Sequence, residues 1–194
     1  MFYCIIFLIS IYGQTLFSSD ETQEPTTEQA QRPSMQHQNN HTQTLNDNEK
    51  KLLDAATNNS ADMVRVYLHE PKININLLDP KGQGLLHIAV RNDNVEMVTY
   101  LLGHPRVNVN LPDRNLKTPL ILAAELERVH IVKILLARKD IDLFALDKKE
   151  NDAMEYAKRK DNQEIFEMFK KAMYAFLTAH KIPVPATLQQ RLLC

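Results

Sequence analysis

Glycine is scarce in this chain, with four among 194 residues, and tryptophan is absent. So little glycine, with nine prolines, disfavours a turn-rich β fold and rules out a collagen-like repeat. The two cysteines, Cys4 and Cys194, sit at opposite ends, which excludes a disulfide framework or a cysteine-rich metal site. Neither sign of charge is in excess: 23 basic and 24 acidic residues leave a net charge of -1 and no global attraction for polyanions. No glycine-rich phosphate loop, nucleophile elbow or metalloprotease motif occurs. Seven histidines are present, but none pairs with a second ligand at helical metal-binding spacing. The sequence therefore predicts no enzyme, no metal, no cofactor and no small-molecule substrate.

Long hydrophobic runs are also missing. The longest, Phe2 to Tyr12, has 11 residues, well short of the roughly 20 that span a bilayer. Its length and the polar sequence after it predict an export signal over 1–13, cut after Gly13, and hence a secreted or extracytoplasmic protein. The run has no preceding Lys or Arg, and Ile11 is large for its place before the cut. An uncleaved membrane anchor extending through Phe17, or a cytoplasmic protein, are the alternatives. From 14 to 44 the chain is rich in Gln, Thr, Ser, Asn and Glu, and between Thr22 and Thr44 its only large apolar residue is Met35. That composition predicts a disordered linker, because it buries too little surface to offset chain entropy. Asn40-His41-Thr42 and Asn58-Asn59-Ser60 match the glycosylation pattern.

What the chain does have is a repeat. Asp79, Asp113 and Asp147 are 34 residues apart, and Ala55, Ala89, Ala123 and Ala157 keep the same step. So do Val64, Val98, Val132 and Phe166. Self-similarity at this period means stacked supersecondary units that bury their apolar faces on one another. In the unit beginning at Asp79, Leu85, Leu86, Ile88 and Ala89 form a first apolar segment, interrupted by Asp93-Asn94. Val95, Met97, Val98, Leu101 and Leu102 then recur at helical spacing before Pro105. The pattern reads as helix, tight turn, helix, extended finger, in four units over 45–78, 79–112, 113–146 and 147–180, with a tail over 181–194. The last helix is expected to continue to His180, and the tail to fold back as a cap or dock on a partner.

These residues resemble the ankyrin repeat family. Asp79-Pro80-Lys81-Gly82 and Leu86-His87-Ile88-Ala89 carry one part of its pattern, and Thr118-Pro119-Leu120 with Ala123-Ala124 another. Val98 with Leu101-Leu102 and Val132 with Leu135-Leu136 match its second helices. The resemblance, over about Asp47 to Phe169, implies an all-α solenoid of antiparallel helix pairs with β-hairpin fingers, and protein binding without catalysis. Two departures stand out. No unit keeps both the Thr and the His of the family's Thr-Pro-Leu-His, so the side-chain bond between them is expected to be missing. The glycine of the inter-helix turn is replaced by Asn59, Asp93, Glu127 and Asp161, of which Glu127 should be the least comfortable in a left-handed conformation.

At positions the family leaves free, cations accumulate. Lys81, Gln83 and Arg91 come from the second unit, Arg114, Asn115 and Lys117 from the third, and Lys148, Lys149, Arg159 and Lys160 from the fourth. The only acid counted among these free positions is Glu125. Stacking makes equivalent positions neighbours, so these residues predict a basic finger face for an acidic protein partner. The alternative is a nucleic acid or another anionic surface bound by the same charges, and the bland reading is that charged tips keep the array soluble.

Overall fold

A computed structural model describes residues 45–181, and the export-signal and linker expectations, the Asn40 sequon, Cys194 and all but the first residue of the tail lie outside that range. Eight helices fill the described residues: α1 Asp47–Thr57, α2 Ala61–Leu68, α3 Leu85–Arg91, α4 Val95–Leu102, α5 Pro119–Glu125, α6 Val129–Leu136, α7 Ala153–Arg159 and α8 Gln163–Ala179. They form four antiparallel pairs. The first helices stack in the order α1, α3, α5, α7, and the second helices in the order α2, α4, α6, α8, giving two layers. The fold is thus the all-α ankyrin-type solenoid that the sequence predicts.

Local chemistry sets the helix starts. Asn46 and Glu49 form a reciprocal cap on α1, Glu49 N donating to Asn46 Oδ1 at 2.8 Å and Asn46 N to Glu49 Oε2 at 3.0 Å. Thr118 Oγ1 accepts from Ile121 N, and Pro119 occupies the first helical position, where its missing N–H leaves nothing unsatisfied. Asn94, Asp152 and Asn162 cap α4, α7 and α8 in the same side-chain manner.

The core is the seam between the layers. Leu101 and Leu135 are wholly buried, as are the small residues Ala89, Ala123 and Ala157, which let first helices approach closely. The inter-helix turns are where sequence and family part most visibly. Asn59, Asp93, Glu127 and Asp161 all have φ between 54° and 60°, a left-handed conformation that costs about 1–2 kcal/mol without glycine. The first three of these side chains compensate by tying units together. Asn94 Nδ2 donates to Asn59 Oδ1 at 2.7 Å, Arg128 Nη1 to Asp93 Oδ2 at 3.3 Å, and Asn162 Nδ2 to Glu127 Oε2 at 3.2 Å. A glycine there would be relaxed but would leave those donors without a side-chain acceptor.

A second tie runs between the segments that follow the second helices. Asn76 donates to Arg106 O at 2.8 Å and accepts from Asn108 N at 2.7 Å. One period later Asn110 donates to Asp140 O at 2.7 Å and accepts from Asp142 N at 2.8 Å. At the third equivalent position stands Phe144, and the ladder stops. Its ring meets Phe176 of α8 edge-on, with centroids 5.1 Å apart. The extra length of α8, 17 residues against eight in α4 and α6, supplies that partner.

Candidate protein-binding face

Each finger is a five-residue turn that starts at an aspartate. Asp79 N donates to Gln83 O, Asp113 N to Lys117 O and Asp147 N to Asn151 O, at 2.8, 2.8 and 3.0 Å. Among the described residues there is no strand, only an isolated antiparallel bridge between Leu78 and Gly84, so the fingers are closed turns more than β-hairpins. The aspartate side chains point back into the turn. Asp113 Oδ1 accepts from Asn115 N at 2.7 Å and Lys117 N at 2.9 Å. Asp147 Oδ1 accepts from Lys149 N and Asn151 N, while its Oδ2 accepts from Tyr156 Oη at 2.6 Å. Burial opposes the charge of Asp147, but these donors and the nearby Lys117 outweigh it and hold the carboxyl below its ordinary value.

With the aspartates turned inward, four cations and one acid, Glu150, stay outside. Lys81, Arg114, Lys148 and Lys149 are exposed at the tips, together with the polar Asn115. None of the four has an ion-pair partner among the described residues. Neighbouring fingers touch. Lys148 N donates to Asn115 O at 2.9 Å, and the Arg114 side chain lies across Gly82, whose place a Cβ would occupy only 2.2 Å from Arg114 Cγ. Gly82 also has φ +76°, so two constraints meet at this one glycine. The equivalent Leu116 and Glu150 adopt φ 61° without that freedom.

The other proposed residues sit differently. Gln83 and Lys117 lie on the returning leg of their fingers, half-buried. Lys117 Nζ is bonded to Glu125 and lies 5.0 Å from the centre of the Tyr156 ring. Burial works against its charge, yet the Glu125 hydrogen bond and carboxylate prevail and raise its pKa. Burial and the bond to Asp147 push the Tyr156 hydroxyl up. Lys117 is therefore an internal brace between the Asp113 finger and the first helices, with its charge matched by Glu125. Arg91, Arg159 and Lys160 stand at the far ends of α3 and α7, and Arg159 Nε pairs with Glu155 Oε1 at 3.0 Å. A first helix of seven residues places them about 10 Å from the fingers. The structure thus brings Lys81, Arg114, Asn115, Lys148 and Lys149 together and separates them from the helix-end group.

His87 links the two neighbouring fingers from beneath. It is fully buried, its Nδ1 accepts from Gly84 N at 3.2 Å, and its Nε2 bonds to Lys117 O at 2.9 Å. The Gly84 N–H makes Nδ1 the acceptor, so the ring proton sits on Nε2 and is donated to the carbonyl. In place of a bond between Thr and His within one unit, His87 caps its own helix and reaches the next finger. Burial lowers its pKa. The Tyr156–Asp147 and Lys117–Glu125 contacts carried no sequence signal, because neither pair falls on the repeat period. Among the described residues, no group of three or more His, Cys, Asp or Glu side chains is placed to hold a metal, and no helix is long and apolar enough to cross a membrane.

A family model described as ankyrin repeats, in 3 copies, matches residues 52–147. The fourth helix pair, α7 and α8, lies beyond the match and continues both layers. No curated protein matches the chain.

Proposed function

Residues 52–147 are ankyrin repeats, and from that premise we propose that the chain is an exported, non-catalytic adaptor that binds a protein partner through its finger side. Ankyrin repeats are in general protein–protein interaction modules. The observation that carries the acidic-partner reading is the segregation of charge in the fingers, where aspartates are consumed by backbone amides and cations are left in solvent. A finger surface dominated by cations, with Glu150 as its exposed acid, on a nearly neutral chain favours encounter with a complementary patch. Affinity capture from the native source, comparing the wild type with Arg114→Glu/Lys148→Glu, tests it. The expected result is a protein retained by the wild type and depleted in the double variant. Equal recovery by both would move binding away from the fingers.

Export rests on the 11-residue apolar run at Phe2 to Tyr12. Mass spectrometry of the mature protein is expected to find Gln14 at or near the N-terminus. An intact Met1 in a cytosolic fraction would overturn the location and leave the binding role standing.

A further inference from the structure

We propose that the partner's contacting segment is an extended acidic strand laid along the finger tips, with carboxylates at every third residue. This rests on the protein-binding reading above and narrows it.

Number and order select the tips over the first-helix ends. Of the proposed residues at those ends, Arg159 is matched by Glu155, and Arg91 and Lys160 are the two exposed cations without an ion-pair partner among the described residues. Lys81, Arg114, Lys148 and Lys149 are exposed and have no ion-pair partner among the described residues. The fingers bearing them are held in a row by the Arg114 crossing of Gly82 and by the Lys148 N to Asn115 O bond. A docked segment therefore meets cations whose backbone positions are set, and binding orders the lysine side chains.

Spacing selects the strand. Packed helices stand about 8–10 Å apart, which sets the step from one unit to the next. An extended chain advances about 3.3 Å per residue, so three residues cover roughly one step. Carboxylates at every third position then face successive fingers. Acids at every second position fall out of step after one unit. Side chains at successive third positions alternate between the two faces of an ideal β-strand, so the extended segment must take the polyproline II form, which repeats every three residues at about 3.1 Å each.

The test uses the full chain and three probes at two ionic strengths. The first is a Ser/Gly-based peptide with Glu at every third position. The second has the same composition with its Glu at every second position, and the third is a single-stranded oligothymidylate. The expected result is binding of the third-position peptide on the order of tenfold tighter than its isomer, weakened by salt. Arg114→Glu/Lys148→Glu should weaken it by a similar factor, and Arg159→Glu should leave it within about twofold, since that charge is already paired. Equal binding of both peptides would overturn the strand register while leaving an acidic partner intact. Loss with Arg159→Glu as large as with the double variant would overturn the choice of the finger tips. Tighter binding of the oligothymidylate would replace the acidic strand with a nucleic acid. Failure of every probe at low salt would overturn the acidic-partner reading itself.

Discussion

At the scale of single residues, burial and backbone conformation make separable claims. Leu101 and Leu135 are fully enclosed between layers, so Leu101→Ala and Leu135→Ala should each cost about 2–5 kcal/mol. Urea unfolding reads this directly, and a loss below about 1 kcal/mol would mean the stack does not enclose them. The left-handed positions give the opposite sign. Glu150 is exposed at φ 61° and its side chain makes no hydrogen bond among the described residues, so Glu150→Gly should stabilise the chain by roughly 0.5–1 kcal/mol. Glu127→Gly relieves the same strain but removes the acceptor of Asn162 Nδ2. Its gain in Tm should be smaller than that of Glu150→Gly, and a larger gain would show that the tie contributes nothing. The discomfort of Glu127 was legible from the missing glycine; the hydrogen bond that offsets it was not, because it depends on which side chain the next unit brings alongside.

At the scale of elements, helix existence and order were readable almost throughout. Apolar periodicity marks Val129 to Leu136, Thr118-Pro119 marks a start, and a 34-residue step multiplies each clue. The asparagine ladder was hidden in plain composition. Ile73-Asn74-Ile75-Asn76 and Val107-Asn108-Val109-Asn110 look like extended sequence, and only stacking shows Asn76 and Asn110 each satisfying one carbonyl and one amide of the following unit. Asn110→Ala strips partners from Asp140 O and Asp142 N, and should cost about 1–3 kcal/mol. Hydrogen exchange should then rise in 138–146 more than in 104–112, because the lost bonds belong to the following segment. A uniform rise would deny the ladder a local role. Of the ten residues proposed as a binding face, Lys81, Arg114, Asn115, Lys148 and Lys149 share the finger tips, and the other five stand apart from them. Period alone cannot tell that Lys117 turns toward Glu125, or that Arg91, Arg159 and Lys160 stand at the opposite end of a first helix from Arg114 and Lys148.

At the scale of the whole molecule, the buried network under the fingers makes stability depend on pH. His87 has a folded pKa below its ordinary value, so between about 6.5 and that lowered value the unfolded chain binds more protons than the folded one. Stability from this site is complete above about pH 6.5 and falls as pH drops through the window. Protonation also places an N–H on Nδ1 facing the Gly84 N–H. Asp147, held low by its donors, contributes stability above the ordinary carboxylate range that is lost at still more acid pH. Chemical denaturation from pH 8 to pH 5 should show this loss in the wild type and a flatter profile in His87→Gln, even though the variant is less stable throughout.

We propose that the row of finger cations governs recognition. The most direct measurement is the association rate of the captured partner at two ionic strengths, with the wild type and with Arg114→Glu/Lys148→Glu. The wild-type rate should fall with salt, the double variant should associate more slowly at low salt, and the two rates should converge at high salt, with unfolding midpoints unchanged. Equal association rates at low salt would contradict it, because the cations would then serve only to keep the fingers in solution.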